Sequence, residues 1–212
     1  TKTTKSNLQS EKVHGKIFVT GNTVIDAINI YSKISKKKSK LSIPYSDFIL
    51  LTLHRSENVD DKKILSSIIK GLINANENII FPIHPRTKKR LHEFGLYEKL
   101  SQNKNIQILD SVGYFDILEL MKNCSFIVTD SGGIQEEATS PIIRKKVLVV
   151  RKTTDRPESV ENQLAEIVGL NEKNITNSIK KTMKNPKLHS KKTPFGKGDA
   201  SEKILNILKK SF

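Results

Sequence analysis

Residues 125–137 read Ser-Phe-Ile-Val-Thr-Asp-Ser-Gly-Gly-Ile-Gln-Glu-Glu and carry the clearest structural signal in the chain. The apolar run at 125–128 is typical of a buried strand. Ser131 followed by two glycines is typical of a helix start, where a serine caps the first turn. The free amides and the positive dipole end of such a turn bind anions.

The same segment suggests what kind of anion would bind. Gly132 and Gly133 have no side chain to keep a phosphate away from the amides. Glu137 lies four residues after Gly133, on the same helix face, and its side chain leans back toward the helix start. Amides for a diphosphate and a carboxylate for ribose hydroxyls predict a nucleoside-diphosphate site. A glycine-rich turn that binds nothing is the alternative.

Strand-like and helix-like segments alternate outward from this unit. Strands are predicted at 16–19, 48–53, 79–81, 106–109, 125–128, 147–150 and 164–168. Helices are predicted at 23–35, 60–74, 86–94, 115–123, 132–139, 171–183 and 200–210. Short apolar strands separated by amphipathic helices predict an α/β fold, with a Rossmann-like parallel sheet covered by helices on both faces.

The domain organisation predicted from the sequence is simple. Residues 1–12 are polar and lack periodicity, which predicts a linker or tail. Residues 13–199 form one Rossmann-like nucleotide-binding domain, and 200–212 form a C-terminal helix. The loop at 187–198 is rich in Lys, Pro and Gly, and we expect it to stand off the core.

Composition excludes several classes of function. The 212 residues are 36% hydrophobic and 28% charged, as in soluble globular proteins. Apolar runs are too short to span a membrane, so no membrane partner is expected. The single cysteine, Cys124, rules out an internal disulfide framework and favours the cytoplasm. The net charge of +15 comes from scattered lysines without interleaved aromatics, which argues against nucleic acid.

Other cofactor motifs are missing from the sequence. It has neither a GxGxxG fingerprint nor a GxxxxGK loop, which disfavours dinucleotide oxidoreductases and P-loop ATPases. Its Cys and His residues do not have metal-ligand spacing, so we expect no metal and no cofactor.

Polar side chains follow five successive predicted strands. Because ligands bind beyond the carboxyl ends of strands in open α/β sheets, these side chains form a candidate site. They are His54, Arg55, Glu57 and Asn58; His84 and Arg86; Asp110, Ser111 and Tyr114; the turn at 130–133; and Arg151, Thr153, Thr154, Asp155 and Arg156. Arginines and histidines gathered at one edge suit a diphosphate.

With these motifs in order, the chain resembles the C-terminal half of the non-hydrolysing UDP-N-acetylglucosamine 2-epimerases. The motifs that carry the resemblance lie at 19–26, 52–58, 82–85, 129–137, 153–158 and 194–198. The resemblance implies one half of a glycosyltransferase-B type two-domain fold, with the substrate in the cleft between the domains. It also implies that a first domain, holding acidic residues for proton transfer, is missing here or is supplied by a partner chain.

The resemblance implies roles for individual residues. His54 would be catalytic and would assist the departure of UDP. The implied UDP-binding residues are His54, Arg55, His84, Ile117, Ser131, Gly132, Gly133, Glu137 and Arg156. The chain departs from the family pattern at Val112, which is often Gln, and at Ile117, which is often an aromatic residue beside the uracil. It also departs at 163–164, where the family has Gly-Thr.

The expected activity is that of an isomerase. The family interconverts UDP-N-acetylglucosamine and UDP-N-acetylmannosamine by eliminating and re-adding UDP, without NAD or an obligatory metal. We expect this chain to bind the UDP-sugar and to be inactive without the first domain. The alternatives are a glycosyltransferase-like domain that binds a UDP-sugar and a non-catalytic UDP-binding partner subunit. The sequence also leaves open whether the chain forms a homodimer.

Overall fold

A six-stranded parallel sheet forms the centre of the protein. The computed structural model describes residues 1–211. Its strands are β1 (Ile49–Thr52), β2 (Ile79–Pro82), β3 (Ile106–Leu109), β4 (Phe126–Thr129), β5 (Val147–Val149) and β6 (Ala165–Ile167). They lie in the order β3-β2-β1-β4-β5-β6, and every neighbouring pair is parallel. This arrangement confirms the predicted Rossmann-like fold.

Helices connect the strands and flank the sheet. They are α1 (Lys2–Ser10), α2 (Thr23–Lys38), α3 (Ser56–Val59), α4 (Lys62–Ala75), α5 (Pro85–Glu93), α6 (Tyr97–Ser101), α7 (Tyr114–Asn123), α8 (Gly132–Ala138), α9 (Pro157–Glu161), α10 (Glu172–Lys184) and α11 (Ala200–Ser211). The seven predicted helices are all present, with ends that differ by up to three residues. No helix within residues 1–211 combines the length and apolar character needed to cross a bilayer.

The core consists of two layers, one on each face of the sheet. Successive strand side chains point to opposite faces, so Ile49 and Leu51 pack on one side while Leu50 packs on the other. The first layer is closed by α4 and α10, and the second by α2 and α7. Because both faces are covered, the four inner strands are buried along their whole length and mostly apolar rather than alternating, whereas the edge strands β3 and β6 contain Gln107 and Glu166.

Two expectations from the sequence are wrong, and the first concerns the predicted strand at 16–19. Residues 16–19 lie outside the sheet, and Phe18 and Val19 are exposed. Residues 2–10 form α1, which starts at Thr1, whose side chain accepts a hydrogen bond from the Thr4 amide. Since α1 buries none of its residues, its sequence has no apolar period to detect. The division into 1–12, 13–199 and 200–212 stays a prediction.

The second error concerns the loop at 187–198, which packs against the domain. Phe195 is buried in the second core layer, and its carbonyl accepts a hydrogen bond of 2.7 Å from the Asn22 amide. The Arg144 guanidinium donates to the carbonyls of Ser190 and Lys192. A single buried aromatic residue therefore outweighs the Lys-, Pro- and Gly-rich composition that suggested a free loop.

Candidate functional site

The candidate site lies where β1 and β4 run side by side at the centre of the sheet. From β1 the strand order continues through β2 to β3, and from β4 it continues through β5 to β6. The connections therefore leave in opposite directions and open a crevice at the carboxyl ends of these strands, which is where open α/β sheets bind ligands. His54 and Arg55 follow β1, and Asp130 and Ser131 follow β4.

Asp130 fastens the two strand ends together. Its buried carboxylate accepts hydrogen bonds from the backbone amides of His54, at 3.1 Å, and Arg55, at 2.9 Å. A third donor is Asn58 Nδ2, at 3.2 Å. Hydrogen bonds to a charged acceptor are stronger than neutral ones, so this carboxylate fixes the backbone that carries His54. The sequence analysis gave Asp130 no role; the available signal was an acidic residue directly after a buried strand.

Two histidines face each other across a pocket. Their ring centroids are 5.8 Å apart, and His54 Nε2 lies 3.9 Å from Asp130 Oδ1. His84 caps α5, with Nδ1 accepting from the Arg86 amide at 3.2 Å. This contact leaves the proton of a neutral His84 on Nε2, which can then donate to a ligand.

The pocket is lined by both polar and apolar side chains. It measures about 280 Å³, and it is lined by Thr52, Leu53, His54, Pro82, Ile83, His84, Ser111, Val112, Ile117, Ser131 and Ile134. Val112, Ile117 and Ile134 contribute apolar lining, and we call these three residues the apolar wall. Two of the positions at which the chain departs from the family pattern, Val112 and Ile117, therefore contribute aliphatic surface.

The first turn of α8 adjoins this pocket. Ser131 caps the helix, and its Oγ accepts from the Ile134 amide at 3.4 Å. Its own amide donates to Thr129 Oγ1 at 2.9 Å. Gly132 is buried whereas Gly133 is exposed. First-turn amides have no acceptor within their own helix, so the amides at 132 and 133 are candidates to donate to an anion.

Two guanidinium groups converge on Gly132. A Cβ built there would lie 3.7 Å from Arg55 Nη2 and 3.8 Å from Arg156 Nη2. Arg55 is held by Asp155, whose Oδ2 accepts from Arg55 Nη2 at 2.6 Å and from Arg151 Nη1 at 2.8 Å. Hydrogen bonding from Arg151 holds the pKa of Asp155 below its ordinary value. Two positive charges therefore flank one helix start.

Glu137 lies further along α8 in a different electrostatic setting. Within residues 1–211, the hydrogen-bond donor to its carboxylate is the Tyr114 hydroxyl, at 3.5 Å. Burial raises the pKa of Glu137 to about 7, an effect that Tyr114 opposes and the neighbouring Glu136 increases. Burial and the Glu137 charge raise the pKa of Tyr114 to about 12. The predicted ribose residue is thus a carboxylate with little compensation for its charge.

The structure brings the predicted residues into three adjoining groups. His54, His84, Ile117 and Ser131 line the pocket; Arg55, Arg156, Gly132 and Gly133 surround the helix start; and Glu137 lies with Tyr114. Sequence reasoning placed Asp130 and Tyr114 at the candidate site without giving them a role, and it missed Glu136 as a contributor. Residues 1–211 contain no group of three or more His, Cys, Asp or Glu side chains placed to hold a metal ion.

Comparisons with known proteins identify the family of this chain. The profile of the family described as UDP-N-acetylglucosamine 2-epimerase matches residues 1–209. The UDP-N-acetylglucosamine 2-epimerase of Methanocaldococcus jannaschii is 43% identical over 98% of this chain and 59% of that protein. This chain therefore spans about 59% of the length of that relative.

Solved structures give the same result. The crystal structure of the M. jannaschii UDP-GlcNAc 2-epimerase in complex with UDP-GlcNAc and UDP is 42% identical, with a TM-score of 0.90 over 99% of this chain and 59% of that one. The Neisseria meningitidis UDP-GlcNAc 2-epimerase bound to UDP-GlcNAc is 34% identical, with a TM-score of 0.86 over 99% and 60% of the two chains. The expected half of a glycosyltransferase-B type fold is confirmed by these similarities.

Proposed function

This chain belongs to the UDP-N-acetylglucosamine 2-epimerase family, and on that premise we propose that it forms the UDP-binding part of such an epimerase. The observation that carries the proposal is the convergence of Arg55 and Arg156 on Gly132, beside the facing pair His54 and His84. A diphosphate needs several hydrogen-bond donors and positive charges close together, and this arrangement supplies both.

The diphosphate would lie against the first turn of α8. Amides at Gly132 and Gly133 donate to phosphate oxygens, and the Ser131 hydroxyl, which accepts from Ile134, still has its own proton to donate. Arg55 and Arg156 neutralise the phosphate charge. Because their carboxylate partners already hold the two guanidinium groups, little side-chain entropy is lost when the ligand binds.

The nucleoside would occupy the surfaces next to the diphosphate. Glu137 accepts hydrogen bonds from ribose hydroxyls, which would replace the water it lost on burial. The uracil ring packs on the apolar wall that includes Val112 and Ile117. An aliphatic wall gives dispersion contacts to a base but no ring stacking.

The proposed reaction is epimerisation at C2 of the sugar of UDP-N-acetylglucosamine. A base removes the C2 proton, the bond from C1 to the UDP oxygen breaks with its electron pair leaving on that oxygen, and a C1–C2 double bond forms. UDP then adds back to C1 and a proton returns to the opposite face of C2, giving UDP-N-acetylmannosamine. In this chain His54 would donate a hydrogen bond or proton to the leaving oxygen, since developing charge there needs a donor.

Two substitutions separate binding from catalysis. Arg156→Ala should weaken UDP binding about 10- to 100-fold, because a charge-assisted contact is lost. His54→Ala should change UDP affinity less than about threefold. It should slow epimerisation about 10²- to 10⁴-fold when the N-terminal part of a relative is supplied by fusion. Calorimetry with UDP and an assay of UDP-N-acetylmannosamine formation measure the two effects.

The control is Lys173→Ala, which removes one exposed positive charge from α10. It should leave both binding and turnover unchanged, and all variants should be checked by thermal unfolding. Wild-type protein that fails to bind UDP would sink the proposal. So would a UDP complex in which His54 or Arg156 lies more than about 6 Å from the phosphates, beyond a water-bridged contact.

Tight UDP binding by a fusion that produces no UDP-N-acetylmannosamine would support one of the alternative functions. The chain would then be a UDP-binding subunit or a glycosyltransferase-like domain rather than part of an epimerase.

A further inference from the structure

Glu136 is a buried carboxylate that pairs with Arg156 and to which the proposed UDP binding assigns no direct ligand contact. It precedes the proposed ribose ligand Glu137 on α8, and it is only 9% exposed. Both of its oxygens have partners. Oε1 accepts from Arg156 Nε, and Oε2 accepts from Asn22 Nδ2 at 2.9 Å.

The contact with Glu136 is one of several that fix Arg156. The Arg156 backbone amide donates to Thr154 Oγ1 at 3.0 Å, and that hydroxyl in turn donates to Gln135 Oε1 at 2.6 Å. Its Nη1 donates to the Asp155 carbonyl at 2.8 Å. The third guanidinium nitrogen, Nη2, lies toward Gly132. Glu136 therefore holds the guanidinium group at Nε, and Nη2 is left facing the proposed diphosphate.

Asn22 fixes Glu136 from the other side. Asn22 Oδ1 caps α2 by accepting from the Val24 amide at 3.0 Å, and the backbone amide of Asn22 donates to the Phe195 carbonyl at 2.7 Å. Gly21 next to it has φ +93°, and a Cβ there would lie 3.1 Å from the same carbonyl. A side chain at position 21 would therefore be strained and crowded. Both the side chain and the backbone of Asn22 are thus held by hydrogen bonds, and Asn22 in turn fixes the position of the Glu136 carboxylate.

We propose that Glu136 is the positioning residue for the diphosphate: it aims Arg156 at the ligand while Glu137, the next residue, serves the ribose. The inference rests on the proposed function, because it needs UDP to bind at α8. The two neighbouring carboxylates then have separable tasks. One acts through an arginine on the phosphates, and the other acts directly on the sugar.

A double-mutant cycle with two ligands tests this division of tasks. UDP and uridine are titrated into wild-type protein, Glu136→Gln, Arg156→Ala and the double variant, by calorimetry for UDP and ligand-observed NMR for uridine. Glutamine keeps the size of the side chain but loses the charge that holds Arg156. Glu136→Gln should weaken UDP binding about tenfold in the wild-type background and less than about twofold in the Arg156→Ala background. Uridine binding should be unchanged in every variant.

Glu137→Gln is the matched control, since it makes the same chemical change one residue further along the helix. It should weaken uridine and UDP by the same factor, because both ligands contain the ribose. Glu136→Asp is the second variant in case the glutamine variant does not fold. Because it withdraws the carboxylate by one methylene, it should lower the ratio of UDP to uridine affinity only when Arg156 is present.

Failure of the inference and failure of the proposed function give different results. If wild-type protein does not bind UDP, the function is wrong. If it binds UDP but Glu136→Gln costs the same with and without Arg156, Glu136 does not act through that arginine. Equal losses of UDP and uridine in Glu136→Gln would reduce Glu136 to a structural residue, and the inference would be overturned.

Discussion

The two ends of the proposed UDP site handle charge in opposite ways. At the diphosphate end, Asp155 and Glu136 are each paired with arginines, and hydrogen bonding lowers the pKa of Asp155. At the ribose end, Glu137 has a single distant donor, Tyr114, and burial raises its pKa to about 7. The first end is assembled before a ligand arrives, whereas the second gains hydrogen bonds when the ligand comes.

The difference follows from what each end has to bind. A diphosphate carries charge that must be met by fixed donors, and donors held in place cost no reorganisation during bond cleavage. A ribose hydroxyl is neutral, so a carboxylate is its strongest acceptor. A half-buried carboxylate with one weak donor is unfavourable, and this cost is offset when ribose hydroxyls donate to it. The diphosphate end is therefore preorganised, whereas the ribose end recovers an unfavourable term when the ligand binds.

The largest effect is expected from removing the carboxylate that fastens the diphosphate end. Asp130→Ala leaves the amides of His54 and Arg55 and the side chain of Asn58 without their buried acceptor. We expect the free energy of unfolding to fall by about 2–4 kcal/mol. Urea denaturation measures it.

The control for this variant is Asp110→Ala. That side chain is 84% exposed and pairs with Lys88, so its loss should change stability by less than about 0.5 kcal/mol. Equal stabilities of the two variants would show that Asp130 does not hold the strand ends together.

The fold could be predicted because its signals are local. The inner strands are short apolar runs such as Phe126–Thr129, and long helices such as α4 have an apolar stripe. The errors at 16–19 and 187–198 arose where tertiary contacts outweigh composition. Phe18 and Val19 have strand-like residue types but no neighbouring strand, and Phe195 is buried in a segment that is otherwise polar.

The site was less predictable because its pairings are distant in sequence. The contact between Asn22 and Glu136 joins residues 114 positions apart, and that between Arg55 and Asp155 joins residues 100 apart. Sequence order places such residues at one edge of the sheet, but it does not say which carboxylate meets which arginine. For the same reason Tyr114 was noted after β3 without its connection to Glu137.

A smaller effect is expected at the ribose end, with opposite signs for stability and binding. Burial raises the folded-state pKa of Glu137 from 4.5 to about 7. The folded protein therefore favours the protonated form, and this stability is present below pH 4.5 and lost as the pH rises through about 7. Glu137→Gln stays neutral, so it should be more stable than wild type at pH 8 by about 1–3 kcal/mol.

The same variant should bind UDP about tenfold more weakly, because an amide is a weaker acceptor than a carboxylate. Thermal or urea unfolding at pH 4.5 and pH 8, together with UDP titrations, provides the test. A stability gain that is equal at both pH values would contradict the assigned titration of Glu137.

The smallest effect is expected from Tyr114→Phe, which removes the donor to Glu137 but keeps the ring that packs edge-on against Tyr31. The Tyr114 hydroxyl lowers the Glu137 pKa, so its loss should raise that pKa further above 7. Since the ionised carboxylate is the better ribose acceptor, uridine affinity should rise with pH through about 7 in wild type and through a higher pH in the variant. The expected loss of uridine affinity is about two- to fivefold at pH 7 and negligible at pH 9.

Ligand-observed NMR across this pH range measures the loss of affinity. The control is Tyr45→Phe, which removes a hydroxyl that donates to the Lys104 carbonyl. A loss that does not vary with pH would mean that Tyr114 contacts the ligand or shapes the pocket rather than setting the charge of Glu137.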